Sequence, residues 1–566
     1  MLGAISLSIG GLAFFYFLVF SVFVYFMVVS GVMTGSVLVL ELEISEKLFG
    51  EVGFCMVLDW VACVFVASVV YISGCVCIFS AFYLSHDIFL KRFSQIVQLF
   101  VLSMVLLIMF PSYLGLMVGW DGLGVVSFLL VVYYMSSSSL SAGMITAMSN
   151  RVGDVCFLLV IGLMSSSLSY GIWSTFLFSL PFLGFLLLMG SITKSAQVPF
   201  SAWLPEAMAA PTPVSTLVHS STLVTAGVYV LIRFSDYLTE MDKYLLASVS
   251  MLTMLLAGSS ACVEVDMKKV VALSTLSQVG MMLFVISVGS NVVAFFHLLV
   301  HAFFKALMFM CVGGVIFYGG SCQDARLLGG VWFKLPLTTS LFLFSNLSLM
   351  GFPFLSGFYS KELIVSVCLS SNCGVVSSVL LVMCLALTVC YSVRSISLVT
   401  QDMGLSSMTF YSMENAYYLL SLGLMSNGAV SASVMMQMFL KEFMGVGFIK
   451  GGFFYSSLIL IISVMLNLCL FFSLGNSSSI ISIWKNFLGT MWYLSSVSGS
   501  YISSNFLMVV FKSVGYVEMG WIRGYIWQLG AQNVIMNMSN YARKMNFNMM
   551  GLVLFYSICF MVLVLW

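Results

Sequence analysis

The sequence predicts an all-α, polytopic membrane protein, on three observations. Of its 566 residues, 61% are hydrophobic and 7% charged, with a mean hydropathy of +1.13; a soluble domain carries about 25% charged residues. Uncharged or nearly uncharged runs recur along the whole chain. At about 20 residues per span they correspond to on the order of 14 to 16 transmembrane helices. Period-two alternation, the mark of a spanning β-barrel, is absent from these runs.

Composition also excludes several function classes. A net charge of +1 gives no reason to expect nucleic acid or an acidic partner surface. The fourteen cysteines are scattered, only Cys75 and Cys77 lie close together, and no CxxC occurs. Iron–sulfur ligation and a structural zinc are therefore not expected. The opening run MLGAISLSIGGLAFFYFLVF has no basic segment ahead of it and is too long for a signal-peptide core, so it reads as a first retained helix. That favours an organelle-encoded or bacterial product.

Residues 1–92 form an N-terminal region: the first helix, an acidic aqueous loop over 41–51, and a second span from about 53 to 82 that carries Asp59. The region 93–260 starts with two helices turned at Pro111, and the second meets Asp121 within GLMVGWDGLGVVSFLL. Residues 93–120 and 122–150 are uncharged, which places this acid in the interior or against a cavity. Gly115 and Gly119 are spaced for close helix approach. Asn150 to Asp154 open the next apolar run, and Arg151 and Asp154, at i and i+3, can pair on one helix face. Such a pair serves equally as a structural ion pair near the interface or as a proton site.

The stretch KSAQVPFSAWLPEAMAAPTPVSTLVHSSTLVTAGVYVLIR, 194–233, organises the rest. It holds four of the eight prolines, Pro199, Pro205, Pro211 and Pro213, inside sequence apolar enough for lipid. Proline frees the carbonyl four residues earlier, here that of Ser195 under Pro199, and lipid cannot satisfy it, so a broken helix lines protein or water. Lys194 is the only charge between Asp154 and Glu206. An ionisable group at that depth costs about 2.5 to 3.5 kcal/mol and is a functional candidate by default. His219 lies in an otherwise uncharged helix, where a lone histidine is more often a packing residue.

In the region 261–400, His297, His301 and Lys305 recur at i, i+4 and i+8, on one helix face. Zinc is a weak reading because no neighbouring cysteine or carboxylate supplies a third ligand and Lys305 repels a cation. A row of titratable groups in apolar sequence reads better as a proton relay. Pro353, between Gly351 and Gly357, then interrupts another apolar helix, and Lys361 follows with Glu362 beside it. Two broken helices with a buried lysine each point to a repeat-built transporter. Further spans occupy 401–484, among them one near 451–474. Residues 485–546 alternate polar and apolar character like an amphipathic helix lying along the membrane or a partner, and 547–566 form a last anchor.

The segments GWDGLGVVSFLL, NRVGDVCFLL, the broken stretch, DMKKVVALSTLSQVGMM, HLLVHAFFKALMFM and GFPFLSGFYSKE occur in the order of a known family. Over roughly 80–400 the chain resembles the chain 5 subunits of NADH:ubiquinone oxidoreductase, respiratory complex I, which are similar to a subunit of multisubunit Na+/H+ antiporters. The resemblance implies two inverted repeats with broken helices, a C-terminal lateral helix, and proton-path roles for Asp121, Asp154, Lys194, His219, His297, His301, Lys305 and Lys361. The family usually has glutamate at the first of these; the shorter Asp121 puts a bridging water, rather than a direct pair, between it and Lys194. No dinucleotide-binding fingerprint or cluster-binding cysteine set occurs in this chain. NADH, FMN, iron–sulfur clusters and ubiquinone are accordingly expected in partner subunits. Expected partners are the lipid bilayer and other membrane subunits, above all adjacent antiporter-like ones, in the mitochondrial inner membrane or, alternatively, a bacterial plasma membrane. A free-standing cation/proton antiporter shares the same broken-helix chemistry.

Overall fold

The structure, a computed structural model, describes residues 2–27, 37–45, 52–165, 181–370, 374–400, 414–444, 485–497, 501, 503–518, 520–521, 530–544 and 549–564. Two compact units are distinguished, Met1–Ser495 and Ser496–Trp566. In the first, α1 (Leu2–Met27) is followed by strands β1 (Leu38–Ser45) and β2 (Val52–Leu58), then by α2 (Trp60–Tyr83), α3 (Leu90–Met109), α4 (Tyr113–Val131), α5 (Ser137–Ser165) and α6 (Pro181–Lys194). The short α7 (Trp203–Glu206) leads to α8 (Thr212–Val214), which runs through a π-helical stretch, Ser215–Thr222, into α9 (Leu223–Arg233). After these come α10 (Glu240–Ala261), α11 (Met267–Ser287), α12 (Asn291–Tyr318), the short α13 (Val331–Lys334), α14 (Pro336–Met350), α15 (Ser356–Ser370), α16 (Val375–Thr400) and α17 (Ala416–Met444). Among the described residues, 10 helices are long and apolar enough to cross a membrane. The expected span near 451–474 lies outside them.

Three expectations on the first hundred residues are corrected. Part of the acidic loop expected at 41–51 is strand: β1 pairs antiparallel with β2, Leu38 opposite Leu58 and Leu42 opposite Phe54. The signal is the alternation Leu40-Glu41-Leu42-Glu43-Ile44, a short period-two pattern in a chain otherwise of helical runs. The second span begins at Trp60, so Asp59 does not lie within it; it is the N-cap, its carboxylate accepting from the Ala62 N–H at 3.0 Å. The same carboxylate is held by both terminal nitrogens of Arg233 at the far end of α9, whose Nε donates to Tyr229 Oη at 2.9 Å. Burial pushes the Asp59 carboxyl up, but the guanidinium hydrogen bonds and charge outweigh it and hold the group below the usual range. Its contribution to stability is present above about pH 4 and is lost as pH falls through the depressed value. Arg233→Met strands a half-buried carboxylate and is expected to cost about 1 to 3 kcal/mol, read as a lower unfolding temperature of the assembled protein; an unchanged temperature contradicts this.

The core sits around α12, in which every residue from Val293 to Ile316 is buried, with α2, α11 and the π-helical stretch packed about it. Pro111 separates α3 from α4 as expected, and the small residues of α4 let the two lie close: a Cβ on Gly119 would stand 2.5 Å from the Leu107 nitrogen. In the second unit, helices Ser503–Val514, Ala531–Lys544 and Met549–Val564 lie where the amphipathic stretch and the anchor are expected. Phe506, Phe511, Ile535 and Tyr541 on the first two are exposed in this chain. Residues 522–529 and 545–548 of that expectation are outside the described set.

Candidate functional site

Two clusters of polar groups collect all eight candidates except His219, which lies in the π-helical stretch. In the first, α4 supplies Trp120 and Asp121, α5 supplies Arg151 and Asp154, and Lys194 is the last residue of α6. Lys194 is buried. Its Nζ donates to the Trp120 carbonyl at 2.6 Å and lies 3.8 Å from the centre of the Trp120 ring, a placement in which the π face offsets part of the desolvation cost. The indole Nε1–H donates to Asp154 Oδ1 at 2.8 Å, and Arg151 Nη1 donates to Oδ2 at 3.0 Å. One tryptophan therefore joins the lysine and the carboxylate.

The Arg151–Asp154 pair forms as the spacing predicts, but not at a helix end. Arg151 is the middle residue of α5, so the pair sits deep in the helix. Asp121 is half-buried: its side chain is 44% exposed in this chain, yet Oδ1 is itself buried and has no hydrogen-bond partner, with Arg151 Nη1 3.8 Å away. Neither acid has an oxygen within 4.0 Å of Lys194. Direct pairing of Asp121 with Lys194 is not made, in keeping with the shorter side chain.

The helix breaks where the prolines predict. The Ser195 carbonyl accepts from Gln197 Nε2 at 2.9 Å, and Gln197 Oε1 accepts from Thr253 of α10 at 2.5 Å. Trp203 Nε1–H donates to the Thr193 carbonyl at 3.0 Å. In the π-helical stretch, Ser221 and Thr222 hydroxyls donate to the Leu217 carbonyl at 3.0 and 2.7 Å, satisfying backbone that the widened turn releases. His219 lies in this stretch, buried, with neither ring nitrogen hydrogen-bonded and the Trp203 ring 6.1 Å away. Placing it in a π turn beside a helix break sets it apart from an ordinary packing histidine.

The second cluster is built on α12. His297 Nδ1 is 2.9 Å from Ser360 Oγ of α15, and its Nε2 is 3.3 Å from Gln278 Oε1 of α11. His301 follows, its ring 6.2 Å from that of His297 and both nitrogens unpartnered. Lys305 Nζ donates to Ser274 Oγ of α11 at 2.5 Å. The three share a helix face as expected, yet none bonds another directly. Lys361, next to Ser360, donates to the Leu349 carbonyl and lies 3.4 Å from Thr388 Oγ1 of α16. Leu349 is four residues before Pro353, so the lysine takes the carbonyl that the break frees; Gly351, at φ 85°, makes the turn. Lys194 differs, its acceptor being an α4 carbonyl rather than a freed one. Among the described residues no group of three or more His, Cys, Asp or Glu is placed to hold a metal.

Sequence reasoning missed Trp120, Gln197, Ser274, Gln278, Ser360 and Thr388, which connect the titratable groups. All but Thr388 lie inside the segments quoted above, but they carry no charge, and uncharged polar residues are frequent in this chain.

Comparison with known proteins bears on both clusters. A family model described as NADH:quinone oxidoreductase/Mrp antiporter, TM, matches residues 111–389, which contain every candidate residue. NADH-ubiquinone oxidoreductase chain 5 of Anopheles gambiae is 39% identical over 522 residues, covering 89% of this chain and 88% of the relative. That of Locusta migratoria is 38% identical over 489 residues, covering 82% and 83%. Among solved structures, the Mrp complex of a Dietzia species aligns with a TM-score of 0.65 at 24% identity, over 91% of this chain and 60% of that one. The membrane-bound sulfane sulfur reductase, an archaeal respiratory membrane complex, gives 0.65 at 18% identity over 78% and 96%; at these identities the likeness is one of fold. On the extent and identity of the match to its relatives, this chain belongs to the NADH-ubiquinone oxidoreductase chain 5 family.

Proposed function

We propose that this chain, an antiporter-like subunit of proton-translocating NADH:ubiquinone oxidoreductase in the mitochondrial inner membrane, moves protons along its two clusters. Asp121, Asp154, Lys194 and His219 serve the first half, and His297, His301, Lys305 and Lys361 the second. One observation carries the reading. Lys194, Lys305 and Lys361 are three buried ammonium groups with no carboxylate oxygen within 4.0 Å among the described residues. A structural cation at such depth would be paired, because an uncompensated buried charge costs several kcal/mol. Cations held only by carbonyls, hydroxyls and a ring can instead release a proton and leave a neutral amine that the same site tolerates. The ring nitrogens of His219 and His301 have no hydrogen-bond partner, so each is free to take or give a proton through a bridging water.

The two proline-broken helices divide the candidates into a first and a second half, as inverted repeats would. NADH, FMN, iron–sulfur clusters and ubiquinone belong to partner subunits, and the stretch from 485 holds this chain against neighbouring membrane subunits. The relatives and fold neighbours are themselves parts of multisubunit membrane complexes. The reading is tested in membranes containing the assembled complex. His297→Ala removes the bridge between Ser360 and Gln278 and should slow proton transfer by about tenfold or more, with no change in bound metal. Stoichiometric zinc that disappears with His297 reverses the relay assignment.

A further inference from the structure

Lys268 is a fourth buried ammonium, outside the set of eight candidates. Its side chain lies in the first turn of α11 and is 5% exposed, and its Nζ donates to the Ala210 carbonyl at 3.3 Å. No carboxylate oxygen lies within 4.0 Å among the described residues. The neighbouring Lys269 behaves as a surface lysine does, pairing with Asp266 at 3.4 Å with its side chain 38% exposed. Lys268 also sits at a helix N-terminus, where the macrodipole repels a cation. Burial, the dipole and the missing acid all work against the charge, with the one hydrogen bond to Ala210 set against them.

Its position suggests what the charge does there. Ala210 precedes Pro211, at the tip of the broken segment, where the chain re-enters the core. On the other side, α11 carries Thr275, Gln278 and Ser274 within about a third of its circumference from Lys268. Ser274 accepts from Lys305, and Gln278 is beside His297. From Ser274 to Lys268 is six residues, about 9 Å along the helix axis and about 120° around it, and Thr275, only about 20° from Lys268, lies between them in azimuth on that face. Beyond Lys268 the chain leaves the helix: Met267 N–H donates to the Gln323 carbonyl at 3.1 Å, and the 319–330 connection begins to face solvent.

We propose that Lys268 is the surface-end proton-transfer group of the second cluster, passing protons between Lys305 and the aqueous phase at the tip of the broken helix. The inference rests on the proton-translocation reading, and a control variant separates the two. Proton translocation and NADH oxidation are measured in membrane vesicles carrying the assembled complex with Lys268→Met, Lys268→Arg or Lys305→Met, at matched assembly. Arginine keeps the charge and the bond to Ala210 but does not release a proton. The expected result is a fall of about tenfold or more in the initial rate of proton translocation for both Lys268 variants, as for Lys305→Met. Wild-type translocation in Lys268→Arg makes Lys268 a clamp on Ala210 and overturns the inference, as does wild-type translocation in Lys268→Met. If Lys305→Met also translocates normally, the relay reading itself fails. Should Lys268→Met not assemble, the arginine variant alone decides between clamp and carrier.

Discussion

Lys194→Met is expected to assemble and to stop proton movement through the first half of the chain. Methionine keeps an unbranched apolar stem of similar length, so the pocket beneath the Trp120 ring stays filled. What disappears is the ammonium that donates to the Trp120 carbonyl at 2.6 Å and the only group of α6 able to carry a proton. Stability should hold or rise, since replacing an unpaired buried cation by an apolar group removes a desolvation penalty. Function should fall by about a hundredfold, as for the loss of a general acid–base group. A lysine whose task is to hold the fold predicts the reverse: reduced assembly, with normal coupling in what remains. The comparison is the amount of assembled complex against its proton translocation.

Lys361→Met is expected to behave alike in coupling but differently in stability. Lys361 satisfies the Leu349 carbonyl that Pro353 frees, and methionine leaves that acceptor unmet at membrane depth. That unmet acceptor costs about 1 to 3 kcal/mol against the desolvation penalty removed with the charge, so Lys361→Met should unfold at a lower temperature than Lys194→Met, together with loss of proton translocation. Lys194→Met should show no such penalty, because its acceptor belongs to continuous helix α4. Equal unfolding temperatures for the two variants would contradict the distinction drawn between a lysine that closes a break and one that rests on an indole.

Much of this architecture is legible in the sequence, because a bilayer leaves few choices. Runs of uncharged residues must be helices, and a proline within them must be answered by protein. Hence the breaks at Pro199 and Pro353 and the burial of Lys194, His297, His301, Lys305 and Lys361 were all predictable. What was not legible depended on partners from other helices. Asp121 is surrounded by uncharged sequence yet only half-buried in this chain, with one carboxylate oxygen buried, since sequence depth does not say which way a side chain points around α4. Arg151 looked like a helix-end residue because apolar content rises after it, but α5 starts at Ser137. The hairpin of β1 and β2 was hidden by its acids, which read as a loop until their alternation with leucine is considered. Trp120 is the largest omission: it joins Lys194 to Asp154 through a carbonyl, a ring face and an N–H, and no charge singles it out.

If these buried lysines work by losing a proton, Lys194→Arg separates a carrier from a fixed charge. Arginine preserves positive charge, can donate to the Trp120 carbonyl and stacks on its ring at least as well, but stays protonated in a protein. The measurement is protons translocated per NADH oxidised, in sealed membrane vesicles carrying wild-type or Lys194→Arg complex at matched assembly. The expected ratio is as low as that of Lys194→Met; a wild-type ratio in the arginine variant would show that Lys194 supplies a fixed charge and carries no proton.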